Sequence, residues 1–215
     1  LAVREQWEEI RQIFADSLRI LLFLGLPFSV LFAILAHPLV TFLYTWGLMG
    51  DEGIEFVSWA LLFYAFGLVP LLALEVVART FYALSDTLTP VLAGAVQIAL
   101  MWLLSLWFSR AIFPQLGWLP LGGLALGFSL SNVMEVLLLL WLLRRKLGGI
   151  QGHSLLNGLW RMAVATLLMG GAMWLVQGWL GGTAVLLQLI VVGGVGGVIY
   201  VAACAVLRLD ELTRL

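Results

Sequence analysis

Six long apolar runs, at residues 17–44, 53–84, 90–113, 121–143, 155–177 and 183–207, constrain this chain more than any other feature. A helix crossing a hydrocarbon layer of about 30 Å needs roughly 20 residues, and each run reaches that length. Inside a bilayer no water is available to backbone N–H and C=O groups, so only helices or closed barrels can cross. Barrel strands alternate apolar and polar residues over about ten positions; these runs do not. The expected fold is an all-α polytopic membrane protein with six transmembrane helices. Composition agrees, since 63% of the 215 residues are hydrophobic and 11% charged, whereas soluble domains are about 45–50% apolar. A net charge of -1 offers no basic surface for nucleic acid. Cys204, the single cysteine, excludes an intramolecular disulfide and any cysteine-based metal cluster.

Residues 1–16 alternate Val3, Trp7, Ile10, Ile13 and Phe14 with Arg4, Glu5, Glu8, Glu9 and Arg11. That spacing predicts an amphipathic helix or linker. The chain opens at Leu1 inside this charged segment, with no basic region ahead of an apolar core, and reads as a piece of a longer protein that starts in a loop. Residues 17–147 hold four spans, 148–154 a loop, 155–207 a terminal helix pair and 208–215 a charged tail. Pro27 predicts a kink in the first span. Residues 53–84 exceed one perpendicular crossing, so the span tilts, or Pro70 bends it and its last turns emerge at the surface. His37, beside Pro38, reads as an interfacial residue or a local hydrogen-bonding one more than as a proton carrier.

Orientation follows from Lys and Arg near span ends. Six spans put Arg4, Arg11, Arg19, Arg79, Arg144, Arg145, Lys146, Arg161, Arg208 and Arg214 on one side and only Arg110 on the other, ten against one. Both termini are therefore expected in the cytoplasm. Trp46, Trp59, Trp107, Trp118 and Trp179 then fall near the outer span ends, and Trp141 and Trp160 near the inner ones, as interfacial aromatic belts do.

An ionisable group at membrane depth costs about 2.5–3.5 kcal/mol on insertion scales, so each needs a partner or a role. Glu75 and Arg79 are four apart and share a helix face, where they can pair; they either pin the end of the second span or meet a substrate. Glu135 lies midway along the fourth span near Ser129, Ser131 and Asn132, with no basic residue within one helical turn. It faces a polar cavity, where it serves ion or proton coupling, or it is a neutral carboxyl hydrogen-bonded to another helix. Gln97 is expected to bond across helices. Gly170 and Gly171 in the fifth span, and Gly193, Gly194, Gly196 and Gly197 in the sixth, let another helix, or a lipid chain, come close to the backbone. Thr89-Pro90 reads as an N-cap followed by a first-turn proline. Phosphate-binding loop, HExxH, paired His/Cys ligand spacing and nucleophile elbow are all missing from the sequence, so nothing argues for an enzyme, a cofactor or a metal.

The stretch ARTFYALSDTLTPV, Ala78 to Val91, resembles the motif linking two helices in the MurJ (MviN) family of lipid II flippases, within the exporter superfamily of multidrug, oligosaccharidyl-lipid and polysaccharide carriers. The surroundings are similar too: the amphipathic lead-in, Leu26-Pro27 in the first span, a short outer loop, and Arg144-Arg145-Lys146 after the fourth span. The resemblance extends over the whole chain and implies about helices nine to fourteen of a two-lobe, MATE-like transporter. It further implies alternating-access transfer of an undecaprenyl-pyrophosphate-type cell-wall precursor across the bacterial inner membrane. Membrane lipid and the missing N-terminal lobe are the implied partners, with the polyprenyl tail along the last two helices. Arg79, Phe81, Tyr82, Asp86, Thr87, Thr89 and Pro90 match the motif, which implies a cytoplasmic turn that positions helices. The family's headgroup-binding basic residues fall outside this chain, and Glu135 has no motif position. The alternatives are another exporter of the superfamily, such as a polysaccharide-lipid flippase or a drug/cation antiporter, and a non-transporting, flippase-like scaffold.

Overall fold

The computed structural model describes residues 2–44, 50–149 and 152–207, with side chains for 8–44, 50–149 and 158–207. Arg4, Trp46 and the tail 208–215, all used in the topology argument, have no described side chains. Helices account for nearly everything described: α1 (Ala2–Ile34), α2 (Ala36–Tyr44), α3 (Asp51–Ala83), α4 (Leu88–Trp107), a π-helical turn (Phe108–Ile112), α5 (Phe113–Gln115), α6 (Pro120–Leu147), α7 (Gly152–Trp179) and α8 (Val185–Val206). Among the described residues six helical segments are long and apolar enough to cross a membrane.

The charged lead-in and the first span form one helix, α1, with no break near Asp16. The helix also runs on through Pro27 and is interrupted at Leu35, where the Leu35 N–H still reaches the Leu31 carbonyl at 2.9 Å and the Leu39 N–H the Leu35 carbonyl at 2.8 Å. Pro38 explains the site of the interruption, because a proline has no N–H to offer the carbonyl four residues back, here Ile34. Pro27 removes the same bond from the Phe23 carbonyl. There the Tyr200 hydroxyl of α8 donates to the Phe23 oxygen at 2.6 Å instead. A neighbouring helix thus satisfies the freed acceptor, as tolerance of proline inside a membrane helix requires.

Two cores divide the helices. Phe14 and Leu18 of α1 pack with Val76, Val77 and Phe81 of α3, Ala93 of α4, and Val136, Leu139, Leu143 and Leu147 of α6. Further along α1, Phe23 joins Met162, Ala165, Met169 and Met173 of α7 with Val192, Tyr200 and Cys204 of α8. Helix α1 is the shared wall, and the α7–α8 pair rests mainly on α1 and α2.

Small residues set how closely the first bundle packs. A Cβ on Gly67 would lie 2.5 Å from the Ser129 Oγ, and one on Gly127 2.5 Å from the Ser105 backbone nitrogen. Where the helices meet, hydroxyls bond to the neighbouring backbone: Ser29 donates to the Ala65 carbonyl at 2.5 Å and Ser129 to the Phe63 carbonyl at 2.7 Å. At the end of the bundle nearest Arg110, Phe63, Phe113 and Trp118 stack around Gly122, where a Cβ would strike the Phe113 and Phe63 rings.

Candidate functional site

Helix α3 ends in a paired backbone motif. The Asp86 N–H donates to the Phe81 carbonyl at 3.0 Å and the Ser85 N–H to the Tyr82 carbonyl at 2.9 Å. This is the Schellman closure, which places the residue after the cap in the left-handed region. Ser85 holds that place at φ 57, where glycine is the usual occupant.

The turn then hands over to α4 through Asp86. Its Oδ1 accepts the Thr89 N–H at 3.0 Å, and its Oδ2 accepts the Thr89 hydroxyl at 2.7 Å. Asp86 is therefore the capping side chain, and α4 starts at Leu88 behind Thr87, so the expectation that Thr89 is the N-cap is corrected by two residues. A carboxylate presents two acceptor oxygens and complements the positive end of the helix, so it outcompetes a hydroxyl. Pro90 sits buried in the first turn, where its missing N–H costs nothing.

From the end of α6, Lys146 Nζ reaches Asp86 Oδ2 at 2.6 Å and lies 5.9 Å from the centre of the Phe81 ring. The Lys146 bond, followed by the two from Thr89, holds the Asp86 carboxyl down to about 2. The remaining members of the basic run are placed differently. Arg145 stacks over Trp141 at 3.7 Å, and the Arg11 guanidinium of α1 donates to the Leu147 carbonyl at the α6 terminus. Of the motif residues, Phe81 is buried in the core, whereas Arg79, Tyr82 and Thr87 project outward. Lys146 and Arg11 entered the sequence argument through the charge tally, the amphipathic lead-in and the basic run after the fourth span, not as partners of this turn. Their partners lie 60 and 136 positions away, and no periodicity signals contacts that distant.

Glu75 and Arg79 do pair: the guanidinium Nε and Nη2 approach Glu75 Oε1 at 2.8 and 2.7 Å. Both side chains are largely exposed, so the pair contributes only about 0.3 kcal/mol. Glu75 also borders a cavity of about 400 Å³ between α3, α4 and α6, and Glu135 lines the same space. Glu135 is buried, and none of the described residues hydrogen-bonds or ion-pairs with it. Its neighbour Asn132 donates to the Phe128 carbonyl of its own helix at 2.9 Å. Gln97 makes the expected interhelical bond, to Ser131 Oγ at 3.0 Å.

The glycines of the last two helices divide. A Cβ on Gly170 would meet Val30 Cγ1 at 2.9 Å and one on Gly196 Met173 Sδ at 2.5 Å, while one on Gly193 would just touch Leu35 at 3.9 Å. Gly171, Gly194 and Gly197 face open space.

The sequence model of a family described as "Lipid II flippase MurJ" matches residues 1–193. The chain is 30% identical over 161 residues to a probable lipid II flippase MurJ of Vibrio cholerae, covering 73% of this chain and 29% of that protein. Over 155 residues it is 29% identical to the one from Buchnera aphidicola, covering 71% and 28%, and over 183 residues 26% identical to the one from Synechocystis, covering 84% and 32%. The chain thus spans about three-tenths of the length of these relatives. A solved lipid II flippase MurJ in an inward closed conformation shares the fold at a TM-score of 0.77 and 21% identity, over 94% of this chain and 40% of that one. With six apolar helices among the described residues, this is a multi-pass protein of the bacterial inner membrane, and the chain belongs to the MurJ family of lipid II flippases.

Proposed function

We propose that the protein containing this chain moves lipid II, a lipid-linked peptidoglycan precursor, from the inner to the outer leaflet by alternating access. The family match over residues 1–193 carries the reading. Drawing a charged pyrophosphate-sugar headgroup through hydrocarbon without a polar path costs many kcal/mol. Two lobes that rock about a central cavity remove that cost while the tail stays in lipid. On this reading both termini and the Asp86–Lys146 turn face the cytoplasm. The turn, with Arg79, Phe81, Tyr82, Thr87, Thr89 and Pro90, fixes the angle between α3 and α4. Glu135 serves coupling, supported by its burial without a partner. Gln97 joins α4 to α6 through Ser131. The N-terminal lobe supplies the basic groups that meet the pyrophosphate. The polyprenyl tail lies against α7 and α8, where Gly171, Gly194 and Gly197 leave the surface open.

The test is complementation. A family-length protein carrying this chain is expressed in a bacterium depleted of its own flippase, and precursor in the outer leaflet is measured. Restored precursor and growth are expected; correct insertion without precursor in the outer leaflet would refute the proposal.

A further inference from the structure

The cavity between α3, α4 and α6 is lined chiefly by aliphatic carbons, yet two carboxyls border it. Its walls include Leu71, Leu72, Glu75, Tyr82, Pro90 and Glu135. Glu135 is only 8% exposed and has no hydrogen-bond or ion-pair partner among the described residues. On the α4 side a Cβ added at Gly94 would come within 3.5 Å of its Oε1, so the carboxyl abuts bare backbone there. Across the cavity, both Arg79 contacts fall on Oε1 of Glu75, and Oε2 is left without a bond.

Among the described residues no cation of a surrounding element is seen to pair with Glu135. On α3, Arg79 lines the neighbouring groove against α1 and is bound to Glu75. On α4 the only nearby ionisable group, Asp86, precedes the helix and is held by Lys146, and Arg110 lies beyond its far end. On α6, Arg145 stacks on Trp141 and Arg144 is two turns or more away, on the exposed end. On α1, Arg11 and Arg19 pair with Glu8 and Asp16. Tyr82 adds one phenol. A buried carboxylate without a partner is costly, so its charge must be balanced by something mobile. A metal ion needs several oxygen ligands, and two carboxyls and a phenol among aliphatic walls do not supply a shell. A proton needs one oxygen.

We propose that Glu135 is a proton-binding site that shares its cavity with Glu75. Water entering past the exposed Glu75 and Tyr82 delivers the proton, an O–H bond forms on the Glu135 carboxylate, and one negative charge is neutralised. With Glu135 neutral, α3, α4 and α6 close over a dry cavity; with it ionised, the water that solvates its charge holds the space open. Proton occupancy thereby biases the packing of three helices. The link from this bias to transport rests on the flippase reading, whereas the binding of the proton does not.

The experiment uses the family-length protein in lipid nanodiscs and infrared difference spectroscopy across pH steps. One protonated-carboxyl band is expected to vanish in Glu135→Gln and to persist in Glu75→Gln. A spectrum unchanged by Glu135→Gln, or a band lost in Glu75→Gln, overturns the proposal. So does a midpoint that moves when sodium replaces N-methylglucamine, which would mark a metal-cation site. If Glu135→Gln does not accumulate, Glu135→Asp must move the midpoint, and an unmoved one is equally fatal. Precursor flipping is assayed on the same samples. Wild-type flipping without the Glu135 band sinks this proposal alone, and the band without flipping sinks the flippase reading alone.

Discussion

At the scale of single residues, Asp86 ties three elements together: it caps α4, follows the closure of α3 and binds Lys146 from α6. Its carboxyl lies at about 2 against an ordinary 3.8, first because of Lys146 and then because of Thr89. A folded value below the unfolded one means the stabilisation is fully present above the ordinary value and is lost as pH falls through the folded one. The wild-type protein in detergent should therefore melt at a higher temperature than Asp86→Asn at pH 7. The gap should narrow as pH is lowered from about 4 to about 2, since asparagine carries no charge to lose. Parallel curves would show that the carboxylate charge contributes nothing to the turn. The sequence made the turn itself legible, through the motif that includes Asp86 and through the Thr89-Pro90 pair. It did not single out Asp86 as the cap, because neighbouring aspartate and threonine residues are both good caps and only the two-oxygen grip on Thr89 separates them.

At the scale of elements, the spans could be read because a long uncharged run has one structural outcome in a bilayer. Which face of each span turns inward could not. Helices apolar on all sides carry no hydrophobic stripe, so the buried faces are marked by glycine and serine: Gly67 against Ser129, Gly127 against Ser105, Ser29 against the Ala65 carbonyl. Proline was legible as a defect but not in its remedy. Pro27 deprives the Phe23 carbonyl of a donor, and Tyr200, 177 positions later, provides one. Tyr200→Phe should cost about 1 kcal/mol by leaving that buried oxygen unpaired. In a Pro27→Ala background the same change should cost much less, because residue 27 regains the N–H that the carbonyl lacked. A double-mutant cycle of unfolding free energies in mixed micelles measures the difference; additive costs would separate the tyrosine from the proline.

At the scale of the whole molecule, α1 carries two cores on two of its faces, and the α7–α8 pair has no large contact with α3, α4 or α6 among the described residues. The charge tally and the motif placed the pair last in sequence. They could not say that it hangs on α1 and α2, since sequence order does not fix which helix a terminal pair leans on. That arrangement predicts independent loosening. Gly170→Leu would drive a side chain into Val30, where even a Cβ would sit 2.9 Å away, and overpacking of this kind costs about 1–3 kcal/mol. Hydrogen–deuterium exchange should rise in α7 and α8 while α3, α4 and α6 keep their protection; a rise throughout would make the chain one cooperative unit instead. Gly171→Leu is the matched control, because a Cβ there meets nothing within 4 Å. It should leave exchange unchanged. If the polyprenyl tail rests on that open surface it should nonetheless slow flipping in the family-length protein, so the two adjacent glycines separate a packing role from a lipid-facing one by different readouts.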